Sequence, residues 1–274
     1  MATRSMVEPA RLTEADQPAV QALLDHDPVG NVYLRSELRQ GIRFGEWWGV
    51  RDGEVVRATL LAGALAVPCV TNVDDATTLA ESACVTTVPR MLVGPRQSVM
   101  AMHHALGRRQ QAREVRDPQP LLTLHRDDHV RGVESAVRRS RRSDVDALVI
   151  AAAQMHREEM GVDPMRVDAA AWRARMVWLI DRGWSWVWVE GGRAIFKAEL
   201  SAWTPEVVQI QGVFTDPAWR RRGVARAGLT AVCRALLEEV PVCSLYVNHF
   251  NATALRLYER LGFRRAGDFA TVFY

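Results

Sequence analysis

Cysteine is scarce and scattered in this chain. The four residues Cys69, Cys84, Cys233 and Cys243 form no Cys-x-x-Cys pair, which argues against a disulfide scaffold or a structural zinc site and for reduced, buried thiols. Lysine is almost missing: Lys197 is the only one, and arginine carries the rest of a Lys+Arg total of 35. Long apolar runs are absent too. None reaches the roughly 18 residues that a membrane span requires, and residues 1–9 hold no apolar signal-peptide core. The expectation is a cytoplasmic protein with no membrane partner. Nor is there a broad basic stripe with interleaved aromatics. Arginines mix with acids except at Arg138-Arg139 with Arg141-Arg142 and at Arg220-Arg221-Arg222, and the net charge is only +3. That pattern speaks against a nucleic-acid partner.

What is present is ordinary globular material: 48% hydrophobic and 24% charged residues in a chain of 274. The length suits one large domain or two modest ones. Thr13 reads as an N-cap before a short helix with Val20, Leu23 and Leu24 on one side. Strands are predicted at 47–50 and 55–61, helices at 76–84 and 97–106, a strand at 91–93, and an extended segment at 114–124. A polar, weakly patterned stretch at 126–143 places a boundary near residue 130. After it come a strand at 133–137, helices at 144–160 and 168–182, and strands at 184–190 and 193–203 joined by Gly191-Gly192. A strand at 207–214, a helix at 223–239, a strand at 242–247, a helix at 251–261 and a final hairpin to Tyr274 complete the reading. Trp184, Trp186 and Trp188 alternate with smaller residues in a strand read as packed on both faces. The fold class is α/β with a mixed (α+β) sheet: two similar units in tandem, 1–129 and 130–274, with no repeat visible in the residues themselves.

The chemistry concentrates between residues 207 and 263. After the strand ending Gly212-Val213-Phe214, residues 215–219 form a turn, and Arg220-Arg221-Arg222-Gly223-Val224-Ala225 opens a long amphipathic helix. Small residues there leave room for an anion, and the free helix amides and three arginines favour a phosphate or pyrophosphate. A second strand runs into Asn251, an N-cap candidate, and a helix with Ala254, Leu257, Tyr258 and Leu261 on one face, stopped by Gly262. Taken alone, Tyr258 is a core tyrosine with its hydroxyl at the rim.

Arg220-x-x-Gly223-x-Ala225 followed by Asn251-x-x-Ala254-x-x-Leu257-Tyr258-Glu259-Arg260-Leu261-Gly262-Phe263 resembles the GNAT family of acyl-CoA-dependent N-acyltransferases, over about residues 130–274. Further phrases are similar to an actinobacterial group of two-domain GNAT proteins with an uncharacterised, GNAT-like N-terminal domain. They are Arg113-Glu114-Val115-Arg116 with Gln119-Pro120-Leu121-Leu122, then Glu158-Glu159-Met160-Gly161-Val162-Asp163-Pro164, and Phe196-Lys197-Ala198-Glu199. The resemblance implies acetyl-CoA as the acyl donor, no metal, and tandem GNAT-like domains of which the first is degenerate. It makes Val213, Phe214 and Thr215 the edge that pairs with pantetheine. Arg220, Arg221, Arg222, Gly223, Val224 and Ala225 become the pyrophosphate loop, Asn251 a pantetheine contact, and Tyr258 the acid that protonates the leaving thiolate. A thiolate of pKa about 8.5 gains from such a donor. In the N-terminal half Gly94-Pro95-Arg96 occupies a comparable turn, but proline removes an N–H from any cradle, so that half is expected not to bind CoA.

The function this implies is transfer of an acetyl or other short acyl group to a primary amine by direct attack, with the Val213 N–H polarising the carbonyl oxygen. Two alternatives stand beside it: a non-catalytic acyl-CoA-binding regulator, and a mycothiol-synthase-like acetyltransferase. The acceptor is a small molecule or peptide; Glu158-Glu159 hints at a cationic one, and a homodimer stays open. Many GNAT enzymes carry a glutamate base on a central strand, yet 207–214 offers only Gln209 and Gln211 on one face. Glu199, on the preceding strand, is the candidate base, with an ion pair to Lys197 as its structural alternative and His249 as its rival.

Overall fold

The computed structural model describes residues 9–85, 87–107, 109–128 and 134–274. The expected boundary near residue 130, the start of the strand at 133–137 and the opening segment 1–8 lie outside the described residues. Ten elements follow one another and then recur in the same order. The first set is β1 (Pro9–Arg11), α1 (Gln17–Leu24), α2 (Val32–Leu38), β2 (Glu46–Asp52), β3 (Val55–Ala62), β4 (Leu65–Cys69), α3 (Val73–Ser82), β5 (Met91–Pro95), α4 (Arg96–Leu106) and β6 (Glu114–His125). The second set is β7 (Arg138–Arg139), α5 (Val145–Met160), α6 (Pro164–Asp181), β8 (Ser185–Glu190), β9 (Arg193–Trp203), β10 (Val207–Thr215), α7 (Val224–Glu239), β11 (Val242–Tyr246), α8 (Ala252–Leu261) and β12 (Arg264–Phe273). The tandem organisation is therefore a repeat of topology.

The two compact units are not consecutive stretches. The first comprises Met1–Leu122 with Tyr246–Ala252 and Arg265–Tyr274; the second comprises Thr123–Leu245 with Thr253–Arg264. Within the first unit the strands run in the order β1-β2-β3-β4-β5-β12. β12 pairs antiparallel with β5 from Phe269 opposite Pro95 to Phe273 opposite Met91. The hairpin expected at the end of the chain is thus one strand: Phe269 to Phe273 are all buried, and β5 supplies the edge they pair with. Leu60, Leu79, Leu92, Val99 and Met102 fill one core of this unit. Leu24, Leu34, Leu38 and Trp47 fill another.

In the second unit the order is β11-β10-β9-β8-β7. The expected strand at 133–137 gives way to irregular chain at 134–137 and a two-residue β7. α6 starts earlier than expected, at Pro164 behind its N-cap Asp163, and breaks helical geometry at Asp168. Leu148, Val149, Met176, Leu179, Val187 and Phe214 pack α5 and α6 against the sheet. Trp186 is buried, with Val187 beside it fully so, as a strand packed on both faces requires. All four cysteines are free and buried. Among the described residues no helix is long and apolar enough to cross a membrane.

Candidate active site

Two irregularities in β10 shape the site. β10 pairs in parallel with β11 only at Val207–Val242, Val208–Cys243 and Gln209–Ser244. β10 then continues to Thr215, so its edge from Ile210 onward is left without β11 as a partner. On its other side, β10 pairs with β9 at Gln211–Glu199 and next at Phe214–Lys197, a bulge that sets Gly212 and Val213 against the single residue Ala198. Gly212 has φ +59, and a Cβ there would lie 3.1 Å from Lys197 Nζ and 3.2 Å from the Glu199 carboxyl carbon. Both conformation and space demand glycine.

The loop after β10 is held from within. Asp216 caps a short 3₁₀ turn (Pro217–Trp219) by accepting from the Ala218 N–H at 2.9 Å. It also pairs with Arg193 at 2.7 Å. Arg220 turns back on the chain: its Nε donates to the Thr215 carbonyl (3.1 Å) and its terminal nitrogen to Glu158 (2.6 Å). Arg221 is the sole non-glycine at positive φ among the described residues, at 62°. The exposed Arg222 lies over the Trp219 ring. α7 then begins behind Gly223, which has φ 80° and supplies no side-chain cap, and its first turn holds no acid. A Cβ at Gly223 would meet nothing within 4 Å. This is an uncapped helix start, open in front and flanked by cations, and its N–H groups and dipole suit an anion. The residues fit a pyrophosphate.

Tyr258 on α8 is 8% exposed. Its ring packs against Phe263, and its hydroxyl makes no hydrogen bond to a described residue. Burial raises its pKa far above the ordinary tyrosine value, with Glu159 and Cys233 adding to the effect. The hydroxyl therefore stays protonated at neutral pH. Glu159 neighbours the Glu158 that holds Arg220, so the end of α5 serves both the loop and the tyrosine.

Glu199 lies in the ion pair with Lys197 that is its structural alternative. It is 2% exposed; one oxygen accepts from Lys197 Nζ (2.6 Å) and the other from Arg175 (3.1 Å). Burial by itself would raise its pKa, but Lys197 and Arg175 outweigh burial and hold it below the usual carboxylate range. Both of its oxygens are thus engaged by cations. Glu158 accepts from Arg220 and, at 3.3 Å, from Gln154. His249 is exposed, with Nδ1 3.0 Å from the Pro118 carbonyl. It belongs to the first unit, as does Asn251, whose N–H donates to the Asn248 carbonyl at 2.9 Å.

The remaining candidates share the second unit. Phe214 is buried in the core; Val213 and Thr215 are half-buried on the open edge of β10; Val224 is buried and Ala225 half-buried in the first turn of α7. Arg175 leaves no signal in the sequence because it comes from a helix 24 residues before its partner.

In fold, the chain is similar to solved acetyltransferases. An acetyltransferase from the GNAT family of Colwellia psychrerythraea matches with a TM-score of 0.65 at 11% identity, over 97% of this chain and 99% of the other. A GCN5-related N-acetyltransferase from Sphaerobacter thermophilus matches at 0.61 and 15%, over 96% and 94%. A tandem GNAT protein from the clavulanic acid biosynthesis pathway matches at 0.58 and 14%, over 97% and 98%. Residues 150–263 match the model of the acetyltransferase (GNAT) family, and residues 45–148 match a domain of unknown function, DUF4081. Enzymes of the GNAT family use acetyl-CoA. A comparison with curated proteins finds no match.

Proposed function

We propose that the second unit transfers an acetyl or short acyl group from acetyl-CoA to a primary amine by direct attack. The observation that carries this reading is the edge of β10, free of β11 beyond Gln209, running into the uncapped start of α7. Bound there, acetyl-CoA supplies the activated acyl carbon. Arg221, Arg222 and the first amides of α7 hold its pyrophosphate, while Arg220 spends its guanidinium on shaping the loop. The β10 edge at Val213 to Thr215 takes up the extended amide arm as a further strand would.

As the amine nitrogen bonds to the acyl carbon, negative charge grows on the carbonyl oxygen, and the Val213 N–H donates to it. As the carbon–sulfur bond breaks, Tyr258 gives its proton to the sulfur. The raised pKa keeps Tyr258 protonated at neutral pH, so the proton is in place to move in concert with cleavage, as charge builds on sulfur. The amine's own proton leaves to solvent, since Glu199 is engaged by two cations, and solvent returns a proton to Tyr258. Calorimetry with acetyl-CoA, followed by a screen of amines, amino acids, polyamines and peptides for CoA release, tests the reading. Binding without turnover on any amine moves it to an acyl-CoA-binding regulator; no binding ends it.

A further inference from the structure

The only lysine of the chain is fully buried, with 0% of its surface exposed. It sits on β9 between Val187 of β8 and Phe214 of β10. Both neighbours belong to the apolar core under α5 and α6. An ammonium in such a place is costly unless every donor is matched. Two of its three donors have partners: Nζ donates to Glu199 at 2.6 Å and to the Gly212 carbonyl at 2.9 Å. Arg175 closes the cluster on the other oxygen of Glu199.

The second contact matters for chemistry. The carbonyl of Gly212 and the N–H of Val213 are the two ends of one peptide group. A cation donating to the oxygen of an amide draws electron density toward that oxygen and makes the N–H at the other end a stronger donor. It also ties down the plane of a peptide that lies inside a bulge, where the ladder is locally disrupted. Resting on the functional reading above, in which Val213 N–H meets the thioester oxygen, we infer that Lys197 is a positioning residue: held by Glu199 and Arg175, it orients and polarises the Gly212–Val213 peptide. The glycine at 212 is what lets it do so, because a Cβ would crowd both Nζ and the carboxylate.

The test uses the full-length chain. Lys197→Met removes the cation, and Lys197→Met/Glu199→Gln removes it without stranding a buried carboxylate. In a folded variant the Val213 amide proton should move upfield. The acetyl-CoA KM should change by less than about threefold. kcat should fall by about tenfold or more, short of the about 10²–10³ that deleting an oxyanion donor costs. Because lysine occurs once, labelling with ¹⁵Nζ-lysine gives a single ammonium signal in the wild-type protein, and a hydrogen-bond coupling from it to the Gly212 carbonyl carbon should be measurable. An unmoved Val213 amide in the double variant, a loss confined to KM, or a freely exchanging lysine signal without that coupling overturns the inference. The amide and lysine readouts are taken without ligand. Failure of acetyl-CoA to bind the wild-type protein therefore ends the functional reading, while the spectra decide by themselves whether Lys197 holds and polarises the peptide.

Discussion

In the first unit, the helix that follows the fourth strand is closed by its own chain. The Asn72 side chain caps α3 by accepting from the Asp75 N–H at 2.8 Å, and the first turn carries Asp74 and Asp75. Asp75 is buried and holds Arg57 at 2.6 Å. In the second unit, the equivalent helix α7 has no side-chain cap and no acid, and three arginines precede it. The strands feeding these helices part in the same way. β4 and β5 pair at Leu65–Met91 and Ala66–Leu92 and then separate, as β10 and β11 do after Gln209–Ser244. In the first unit, however, Ser98 of α4 both donates to and accepts from the backbone of Val70, and Gln97 donates to the Thr71 carbonyl. The exit of β4 is stitched to α4. One topology thus yields two sites of opposite character, and the difference lies in a few side chains at one strand-to-helix turn. The comparable position in the first unit is this β4–α3 turn; Gly94-Pro95-Arg96, at the β5–α4 junction, corresponds to the region before α8.

The most severe test of that difference is stoichiometry together with Gly223→Val. Acetyl-CoA should bind once per chain, and the variant should abolish the heat of binding. The left-handed conformation penalises a β-branched residue by about 1–2 kcal/mol, and the added methyls project into the open space where an anion would approach. A second site in the wild-type protein, or undiminished binding by the variant, breaks the contrast between the units.

Next in size is Tyr258→Phe, expected to lower kcat by about 10²–10⁴ with little change in acetyl-CoA affinity, because the hydroxyl acts when charge develops on sulfur. Steady-state kinetics beside calorimetry separates the two quantities. An unchanged kcat returns Tyr258 to the core.

Ala225→Asp sharpens the comparison directly by giving α7 the acid that α3 carries. A carboxylate in the first turn favours the helix by about 0.3–1 kcal/mol but repels a phosphate at the same amides. Acetyl-CoA affinity should fall by roughly tenfold, more at low salt than at high, while the melting temperature stays level or rises. Weakened binding that salt leaves untouched points to a steric cause instead.

How much of this is legible in the sequence follows from where the determining contacts lie. The long, strongly periodic helices α5 and α7 and the Gly191-Gly192 hairpin declare themselves locally. α2 does not, because even Arg35 and Ser36 in it are buried, so its residues show no polar face. β4 hides for a similar reason: Leu65-Ala66-Val67-Pro68-Cys69 is short and contains a proline, which argues against a strand. The turn at 220–225 is readable, since its glycine and arginines are consecutive. The ion-pair cluster is half readable: Lys197 and Glu199 share a strand face by alternation, whereas Arg175 and the Gly212 carbonyl arrive from other elements and leave no trace in spacing. That missing half is what engages the second oxygen of Glu199.

The smallest expected change is therefore in the pH profile of Glu199→Gln. A base lost by amidation removes the acidic limb of the rate profile, and raising the pH restores turnover as more free amine forms. An anchor lost by amidation lowers turnover at every pH and leaves the limb where it was. The second outcome is expected. Stability carries the complementary signal. The folded protein holds Glu199 below the usual carboxylate range, so its contribution is present above the unfolded pKa of about 4.3. It is lost as the pH falls through the lower folded value, where the unfolded chain already binds the proton. At neutral pH the variant strands Lys197 without its carboxylate, at a cost of about 3–5 kcal/mol by analogy with other broken buried pairs. Denaturant melts should thus diverge for the two proteins at neutrality and draw together as the pH falls below the unfolded pKa of about 4.3 toward the lower folded value. A rate profile rescued by alkali, with stability unchanged, would give the base back to Glu199 and leave the second unit with a proton acceptor that the geometry of its two cations does not provide.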